Sequence, residues 1–352
     1  MEYDLNKTNK CKGILYNPEA SDENIKVIGG ESTKILNLEN IKYQWAHDIF
    51  DAIFKNNWLP HKTPMGNDKA MWNKLTQYEK DAYEDIISFL VFLDSIQTNN
   101  LPNISDYITA PDIVYVIARQ TMDEAIHSKS YGWILSSIFG HRKAKEIIYK
   151  WRHNKVIGKR NQFIADWYEQ FIGDKNDENF VVAAVANYLL EGLYFYNGFQ
   201  FFHNLAARGL MIGTDTQIRY IQRDEIQHCN IFKNIILELK KENTDLMKKM
   251  QPVIDEMFII AYEQEVNFSK QTMGNNILGI TEDSIEQYAK YLVNVRRKDI
   301  KMELLFEKVD NPYKHLDLIA GLEDETSNRT NNFEATSIAY KNKSAIEGWD
   351  EI

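Results

Sequence analysis

The sequence predicts an all-α protein, and three observations support this fold class. Its 352 residues include only 16 Gly and 7 Pro, so few residues break or turn the chain. Apolar residues recur at intervals of three and four, the period of a helix that buries one face. No pair of alternating apolar and polar runs indicates β-strands. We expect a surface arm at residues 1–40, one helical domain at 41–322 and a mobile tail at 323–352.

Composition and charge exclude several classes of protein. The net charge of −10 argues against a general nucleic-acid binder, because phosphate contacts need clustered Lys and Arg. With only Cys11 and Cys229, the chain has no disulfide framework, which favours a reducing cytoplasm. The N-terminus has no apolar signal region, and no apolar stretch reaches the roughly 20 residues of a membrane span. We expect a cytoplasmic protein that binds neither nucleic acid nor membranes.

In the first half of the domain, the apolar pattern and the chain breakers predict helices at residues 82–97, 111–139, 141–157 and 161–172. The first is apolar on nearly all sides and should be buried, ending at the Asn-Asn-Leu-Pro run that closes with Pro102. Pro111 suits the first turn of the second helix. Gly158 and Gly173 are expected to end the third and fourth helices.

The second half predicts four more helices, at residues 178–207, 214–241, 245–271 and 281–305. Asp177 is placed to cap the first of these, and Gly209 to end it. Thr214 and Asp215 open the second, and Pro252 is expected to bend the third.

One helix carries polar residues in the middle of its apolar stripe. On the helix at 111–139, Glu124 and His127 lie three residues apart, so a carboxylate and an imidazole project from neighbouring turns of one face. The stripe consists of Ile113, Ile117, Gln120, Glu124, His127, Tyr131 and Leu135. Because such a stripe should be apolar, these side chains indicate a buried polar site.

The same spacing recurs about a hundred residues later, where Glu225 and His228 interrupt another apolar stripe. Each Glu-x-x-His pair follows a helix that carries a single acid within apolar residues, Asp94 in the first case and Glu191 in the second. The order along the chain is therefore acid, Glu-x-x-His, acid, Glu-x-x-His.

Four carboxylates buried together need compensating charge, since an isolated buried charge is very costly. Two divalent cations would supply it, and the mixed oxygen and nitrogen ligands suit iron or manganese. This ligand inventory is that of ferritin-like di-iron and di-manganese carboxylate bundles. The sequence thus predicts a ferritin-like bundle with a buried dinuclear metal site. Surface salt links or satisfied core polar groups are the alternative.

The flanking residues add a family resemblance. The relevant segments are Leu93-Asp94-Ser95-Ile96-Gln97, Glu124-Ala125-Ile126-His127-Ser128-Lys129-Ser130-Tyr131, Leu190-Glu191-Gly192-Leu193-Tyr194-Phe195-Tyr196, Arg223-Asp224-Glu225-Ile226-Gln227-His228 and Asn57-Trp58-Leu59-Pro60. Here the sequence closely resembles the small, radical-generating subunit of class I ribonucleotide reductase, from about residue 40 to 305. The resemblance implies a homodimer whose metal pair reacts with O2 and oxidises a tyrosine. That oxidising equivalent passes to a separate large subunit, which reduces ribonucleotides to deoxyribonucleotides.

Matched residue by residue, the resemblance assigns one metal to Asp94, Glu124 and His127, and the other to Glu191, Glu225 and His228. It implies two iron ions per chain, with manganese left open. Tyr131 would be the radical site, and it also lies one helical turn beyond His127 on the same face. Phe195 and Phe199 resemble the apolar pocket around the radical. A core tyrosine, and ordinary core phenylalanines, are the alternatives.

For transfer to the large subunit, the resemblance points to Trp58, Asp224 and His127. Asp224 lies beside the metal-binding face and could accept the second hydrogen of a ligating imidazole. Tyr340 is a candidate relay by its position in the tail. The family's extreme C-terminus docks on the large subunit, so the apolar residues there are candidate anchors: Ile346, Trp349 and Ile352. A packing tryptophan, a salt link between Asp224 and Arg223, and an ordinary tail tyrosine are the alternatives.

Two other functions remain open at this point. A ferritin-like oxidase or oxygenase would use the same metals on an organic substrate, without need of Tyr131 or Trp58. A metal-storage or catalytically silent helical protein would need only the bundle. The filled ligand positions argue against a silent protein.

Overall fold

The computed structural model describes residues 15–316, and within this part of the chain every regular element is helical. The predicted all-α class is confirmed. The α-helices are α1 (Gln44–Lys55), α2 (Asp68–Met71), α3 (Gln77–Tyr107), α4 (Pro111–Ile138), α5 (His141–Ile148), α6 (Lys155–Gly173), α7 (Asp177–Leu189), α8 (Tyr196–Ala207), α9 (Ile212–Glu242), α10 (Thr244–Thr272) and α11 (Glu282–Asp299). A π-helical segment, Leu190–Tyr194, joins α7 to α8.

The long helices α3, α4, α7 and α9 pack around a shared interior, with α8 continuing from α7 and packing on α9. Their buried faces are dense in aromatic and branched side chains, and the segment Phe180–Leu205 is buried almost throughout. Helices that are apolar on nearly every side need neighbours on every side, so α7 and α8 occupy the centre of the bundle. In the segment before α1, Val27 and Ile28 are also fully buried.

The prediction that the first long helix ends before Pro102 was wrong, because α3 continues through this proline to Tyr107. It begins at a capping box in which Thr76 and Glu79 exchange hydrogen bonds. Proline removes one backbone hydrogen bond from a helix. Leu101 and Ile104, on either side of Pro102, are fully buried, and their packing offsets that loss.

The predicted helix at 141–157 was also wrong at its end. Helix α5 stops at Ile148, and a short 3-10 turn leads to α6. The Asn154 side chain accepts hydrogen bonds from the amides of Val156 and Ile157, which starts α6 there. Gly158 therefore lies inside α6 and ends no helix.

Three further features differ from the prediction. Asn176, rather than Asp177, caps α7, and the predicted single helix at 178–207 is interrupted by the π-helical segment. The last helix ends at Asp299 instead of near residue 305. Helices α4, α9 and α10 lie within two residues of the predicted bounds at each end, and α10 runs through Pro252.

Candidate metal centre

The predicted ligands come from four neighbouring parts of the bundle. They are Asp94 on α3, Glu124 and His127 on α4, Glu191 in the π-helical segment, and Glu225 and His228 on α9. All of these side chains have no solvent exposure. Ionisable residues are almost never fully buried without a partner, so this concentration identifies a specialised site.

Two overlapping groups of ligand atoms form within this cluster, and the atoms of each group lie within 4.8 Å of one another. The first group contains Asp94, Glu124, His127 and Glu225, and the second contains Glu124, Glu191, Glu225 and His228. Glu124 and Glu225 belong to both. The family resemblance had assigned three separate ligands to each metal ion. In the structure, Glu124 and Glu225 instead lie between the two candidate metal positions.

Within residues 15–316, several ligand atoms of the cluster make no hydrogen bond of standard geometry. They are both carboxylate oxygens of Asp94, Oε2 of Glu124, Oε2 of Glu191, Oε1 of Glu225 and Nδ1 of His127. Buried polar atoms normally have hydrogen-bond partners, so a group of orphaned oxygens around one point fits coordination to cations. The donor set of carboxylates and imidazoles fits a pair of transition-metal ions.

The electrostatics of the cluster point the same way. Burial, reinforced by neighbouring carboxylates, raises the pKa of Asp94 and of Glu191 well above the usual range. Burial acts in the same direction on Glu225, but the two imidazoles outweigh it and lower its pKa. In the protein without metal, protons must therefore neutralise part of the cluster, and bound cations would replace them.

Both imidazoles present Nδ1 to the carboxylates. Nδ1 of His127 lies 3.0 Å from Glu225 Oε1, and Nδ1 of His228 lies 2.7 Å from Glu225 Oε2 and 3.1 Å from Glu124 Oε1. Each Nε2 then faces away from the cluster. The two rings approach to 5.7 Å between centroids.

On the outer side of His127, a short chain of contacts leads toward the surface. Nε2 of His127 lies 3.3 Å from Oδ2 of Asp224, and the same oxygen accepts a 2.7 Å hydrogen bond from Nε1 of Trp58. The indole ring is half-buried. Three of the residues named from the sequence are therefore in direct contact. Arg223 also pairs with Asp224, at 3.1 Å, so the salt link considered as an alternative is present beside the chain of contacts.

Asp123 also lies at the cluster, although it was not predicted from the sequence. Its Oδ2 lies 3.4 Å from Nε2 of His228, on the outer side of the second imidazole. A signal was available, because both motifs read Asp-Glu-x-x-His, as Asp123-Glu124 and Asp224-Glu225 show.

Two buried side-chain amides hold Glu191, and neither was predicted from the sequence. Gln120 donates a 2.8 Å hydrogen bond to Glu191 Oε1, and Gln97 donates to the same oxygen. The hydroxyl of Tyr168 in turn donates to Gln97 at 2.8 Å. One oxygen of Glu191 is thus saturated, which leaves Oε2 to face the cluster.

Tyr131 is fully buried, and its hydroxyl makes no hydrogen bond of standard geometry to any described residue. Burial, with the nearby Asp94 carboxylate as the next cause, raises the pKa of Tyr131 well above its usual value. Phe195 and Phe199 are also fully buried and stack on each other with centroids 5.5 Å apart. The neutral phenol is therefore buried beside the Asp94 carboxylate.

Some of the predicted residues lie outside the part of the chain that the structure describes. These are Tyr340 and the candidate anchors Ile346, Trp349 and Ile352. Within residues 15–316, no helix combines the length and the apolar character that crossing a membrane requires.

Comparison with known proteins agrees with this geometry. A family described as "Ribonucleotide reductase, small chain" matches residues 35–312. The beta subunit of ribonucleoside-diphosphate reductase from Treponema pallidum is 36% identical over 322 residues, 91% of this chain and 92% of that protein. The beta subunit from Halalkalibacterium halodurans is 32% identical, covering 97% of this chain and 99% of that protein.

A solved structure, the ribonucleotide reductase R2 subunit from Clostridium botulinum, superimposes with a TM-score of 0.85 at 37% identity. The match covers 89% of this chain and 98% of that one. The chain therefore belongs to the family of ribonucleotide reductase small chains, the beta subunits of ribonucleoside-diphosphate reductase.

Proposed function

We propose that the buried cluster holds two metal ions, and that their reaction with O2 generates a tyrosyl radical on Tyr131. The radical would serve the large subunit in reducing ribonucleotides to deoxyribonucleotides. One observation carries this proposal: two ligand groups that share Glu124 and Glu225 lie fully buried near the Tyr131 phenol. The pair of bound ions would supply the electron-transfer chemistry with O2 that no side chain provides.

The protein's own part in radical formation is to manage a proton. The raised pKa of Tyr131 keeps its phenol neutral, so oxidation must be accompanied by loss of the hydroxyl proton. The Asp94 carboxylate beside the phenol is the acceptor that the geometry offers. The fully buried surroundings keep water away from the phenoxyl oxygen, which would slow quenching.

Transfer to the large subunit would run through the contacts among His127, Asp224 and Trp58. Asp224 bridges the imidazole and the indole with a single oxygen, so a proton can shift along the same contacts as the electron. Tyr340 would continue the relay in the tail, and Ile346, Trp349 and Ile352 would dock on the large subunit. The active small subunit would be a homodimer.

The identity of the metals is part of the proposal. Carboxylate and imidazole ligands accept both iron and manganese, and selection depends on the surroundings of the ligands and on supply. We propose two iron ions per chain, with manganese as the second candidate. Metal analysis of protein purified from its native host would decide between them.

Electron-spin resonance tests the radical site directly. The iron-loaded protein exposed to air should give a tyrosyl signal, and Tyr131→Phe should abolish it while metal content stays at two per chain. Tyr83→Phe is the matched control, because Tyr83 is equally buried but hydrogen-bonds to Thr214. A signal that survives in Tyr131→Phe would place the radical elsewhere.

A further inference from the structure

Matching aspartates hold the two imidazoles of the cluster from their outer sides. Nε2 of His228 lies 3.4 Å from Asp123, and Nε2 of His127 lies 3.3 Å from Asp224. These contacts cross between helices, since Asp123 is on α4 and His228 is on α9. Each of the two helices thus supplies one imidazole and the carboxylate that holds the other imidazole.

An arginine backs each aspartate. Nη2 of Arg119 lies 2.6 Å from Oδ1 of Asp123, and Nη2 of Arg223 lies 3.1 Å from Oδ1 of Asp224. The two guanidinium groups also donate to adjacent residues of the segment 56–57, at 3.2 Å and 2.6 Å. Each set thus consists of a histidine, an aspartate and an arginine, and both arginines hydrogen-bond to the segment before Trp58.

The two sets differ in the other hydrogen-bond partners of the aspartate. Asp224 accepts a hydrogen bond from the Trp58 indole, which can be oxidised. The hydrogen-bond and ion-pair partners found for Asp123 are His228 and Arg119, and a guanidinium carries a fixed positive charge. The Asp123 arrangement is thus suited to holding a ring in place, and not to conducting an electron.

The chemistry of a carboxylate specifies how that ring is held. An ionised carboxylate only accepts hydrogen bonds, so Asp123 requires the proton of His228 on Nε2. This leaves the lone pair on Nδ1, the atom that faces Glu124, Glu191 and Glu225. Partners of this kind fix the tautomer and orientation of metal-binding histidines.

We propose that Asp123, held by Arg119, is a positioning residue for the metal ion bound by His228. Asp123 positions the ligand by fixing the tautomer and the ring orientation of His228. This inference rests on the proposed dinuclear site. It assigns Asp123 to the ion bound by His228, whereas Asp224 and Trp58 lie on the side of His127.

Asp123→Asn tests the proposal with little change of shape. Asparagine can donate as well as accept, so the substitution removes the preference for a proton on Nε2. The full-length metal-free protein would be titrated with Co²⁺, whose visible absorption reports coordination. We expect two ions in the wild type, and in Asp123→Asn one ion that binds about 10–100-fold more weakly beside one that is unchanged. Wild-type affinity for both ions would overturn the inference.

The double variant Asp123→Asn/Asp224→Asn tests whether the two aspartates support different ions. If Asp123 acts on the His228 ion and Asp224 on the His127 ion, both ions should weaken in the double variant, each by its single-variant factor. If one ion still binds with wild-type affinity, both aspartates act on the same ion, and the assignment of Asp123 to His228 is wrong.

Asp112→Asn is the matched control for loss of a buried carboxylate. Asp112 lies on the same helix, is also buried, and contacts a histidine outside the cluster, with Oδ1 2.8 Å from His47 Nε2. It should leave Co²⁺ binding unchanged; weakening equal to that of Asp123→Asn would mean a general effect on the helix and would overturn the proposal. A wild-type protein that binds no ion pair would instead refute the proposed function.

Discussion

At the scale of single residues, the site depends on how each buried carboxylate is partnered. Glu225 lies between the two imidazoles, which keep it ionised despite burial. One oxygen of Glu191 accepts hydrogen bonds from amide donors, and the other accepts none from the described residues. A fully buried carboxylate with a bare oxygen is costly unless a cation approaches. The arrangement of these side chains thus suits a site that is occupied by cations.

Trp58→Phe should separate radical formation from radical use. The change removes the Nε1 donor to Asp224 and replaces the indole by a ring that is harder to oxidise. The Tyr131 signal should still form, while deoxyribonucleotide formation with the large subunit should fall by at least about tenfold, the lower bound for disturbing the partner of a metal-binding histidine, here Asp224. Radical yield by electron-spin resonance and turnover would be measured on the same preparation.

Trp45→Phe is the control for this change, because Trp45 is also half-buried and its Nε1 has no hydrogen-bond partner among the described residues. It should leave both measurements unchanged. Normal turnover in Trp58→Phe would remove Trp58 from the proposed route.

At the scale of secondary structure, the π-helical segment is the element that positions Glu191. A π-turn inserts an extra residue into a helix and is frequent at functional sites. Here the carbonyl of Gly192 accepts a 3.0 Å hydrogen bond from Nε of Arg296 on α11. Arg296 is buried and also lies over the Tyr196 ring, 5.3 Å from its centroid. The irregular backbone is therefore braced from outside the four helices that supply the ligands.

Gly192→Ala should disturb this brace. An added Cβ would lie 2.8 Å from Nε of Arg296 and 3.0 Å from Sγ of Cys229, so the guanidinium must move. We expect a loss of about 1–3 kcal/mol in the free energy of unfolding, as for overpacked cores. Metal content should also fall as Glu191 shifts. Thermal or denaturant unfolding and metal analysis would check both effects.

Gly132→Ala is the contrasting variant, because a Cβ there meets no atom within 4 Å. Gly132 is in the interior of α4, where alanine should raise stability by about 0.5–1 kcal/mol. If Gly192→Ala were equally harmless, the close packing around the π-helical segment would be without consequence.

At the scale of the whole molecule, the proposed radical site and the proposed docking residues lie in different parts of the chain. The metal cluster and Tyr131 have no exposure, whereas the candidate anchors belong to the last eight residues, outside the described part. Those residues are acidic with apolar side chains interspersed, a pattern that suits a short segment docking by a few buried anchors. The half-buried Trp58 lies between the cluster and the surface.

Deleting residues 345–352 should therefore weaken binding to the large subunit and leave the Tyr131 radical intact. A narrower change, replacement of Ile346, Trp349 and Ile352 by Ser, should weaken binding by more than tenfold, since such anchors are worth about 2 kcal/mol or more each. Replacing Glu347 and Glu351 by Gln is the charge control and should change affinity less. Unchanged affinity after the deletion would place the docking surface elsewhere.

The helical class, the candidate ligand residues and the family could all be predicted from the sequence. Spacings of three and four residues are local, and a helix converts them directly into a shared face, so Glu124 with His127 and Glu225 with His228 could be paired without a fold. The reasoning failed where local signals lost to packing. Pro102 did not end α3, because the buried residues beside it hold the helix together.

How the two Glu-x-x-His helices combine is seen only in the folded structure. It placed Glu124 and Glu225 in both ligand groups, and it set Asp123 behind His228 and Asp224 behind His127. These contacts join residues about a hundred positions apart, and no local spacing specifies them. They follow from how α4 and α9 pack against each other, which depends on side chains along the whole interface between the helices.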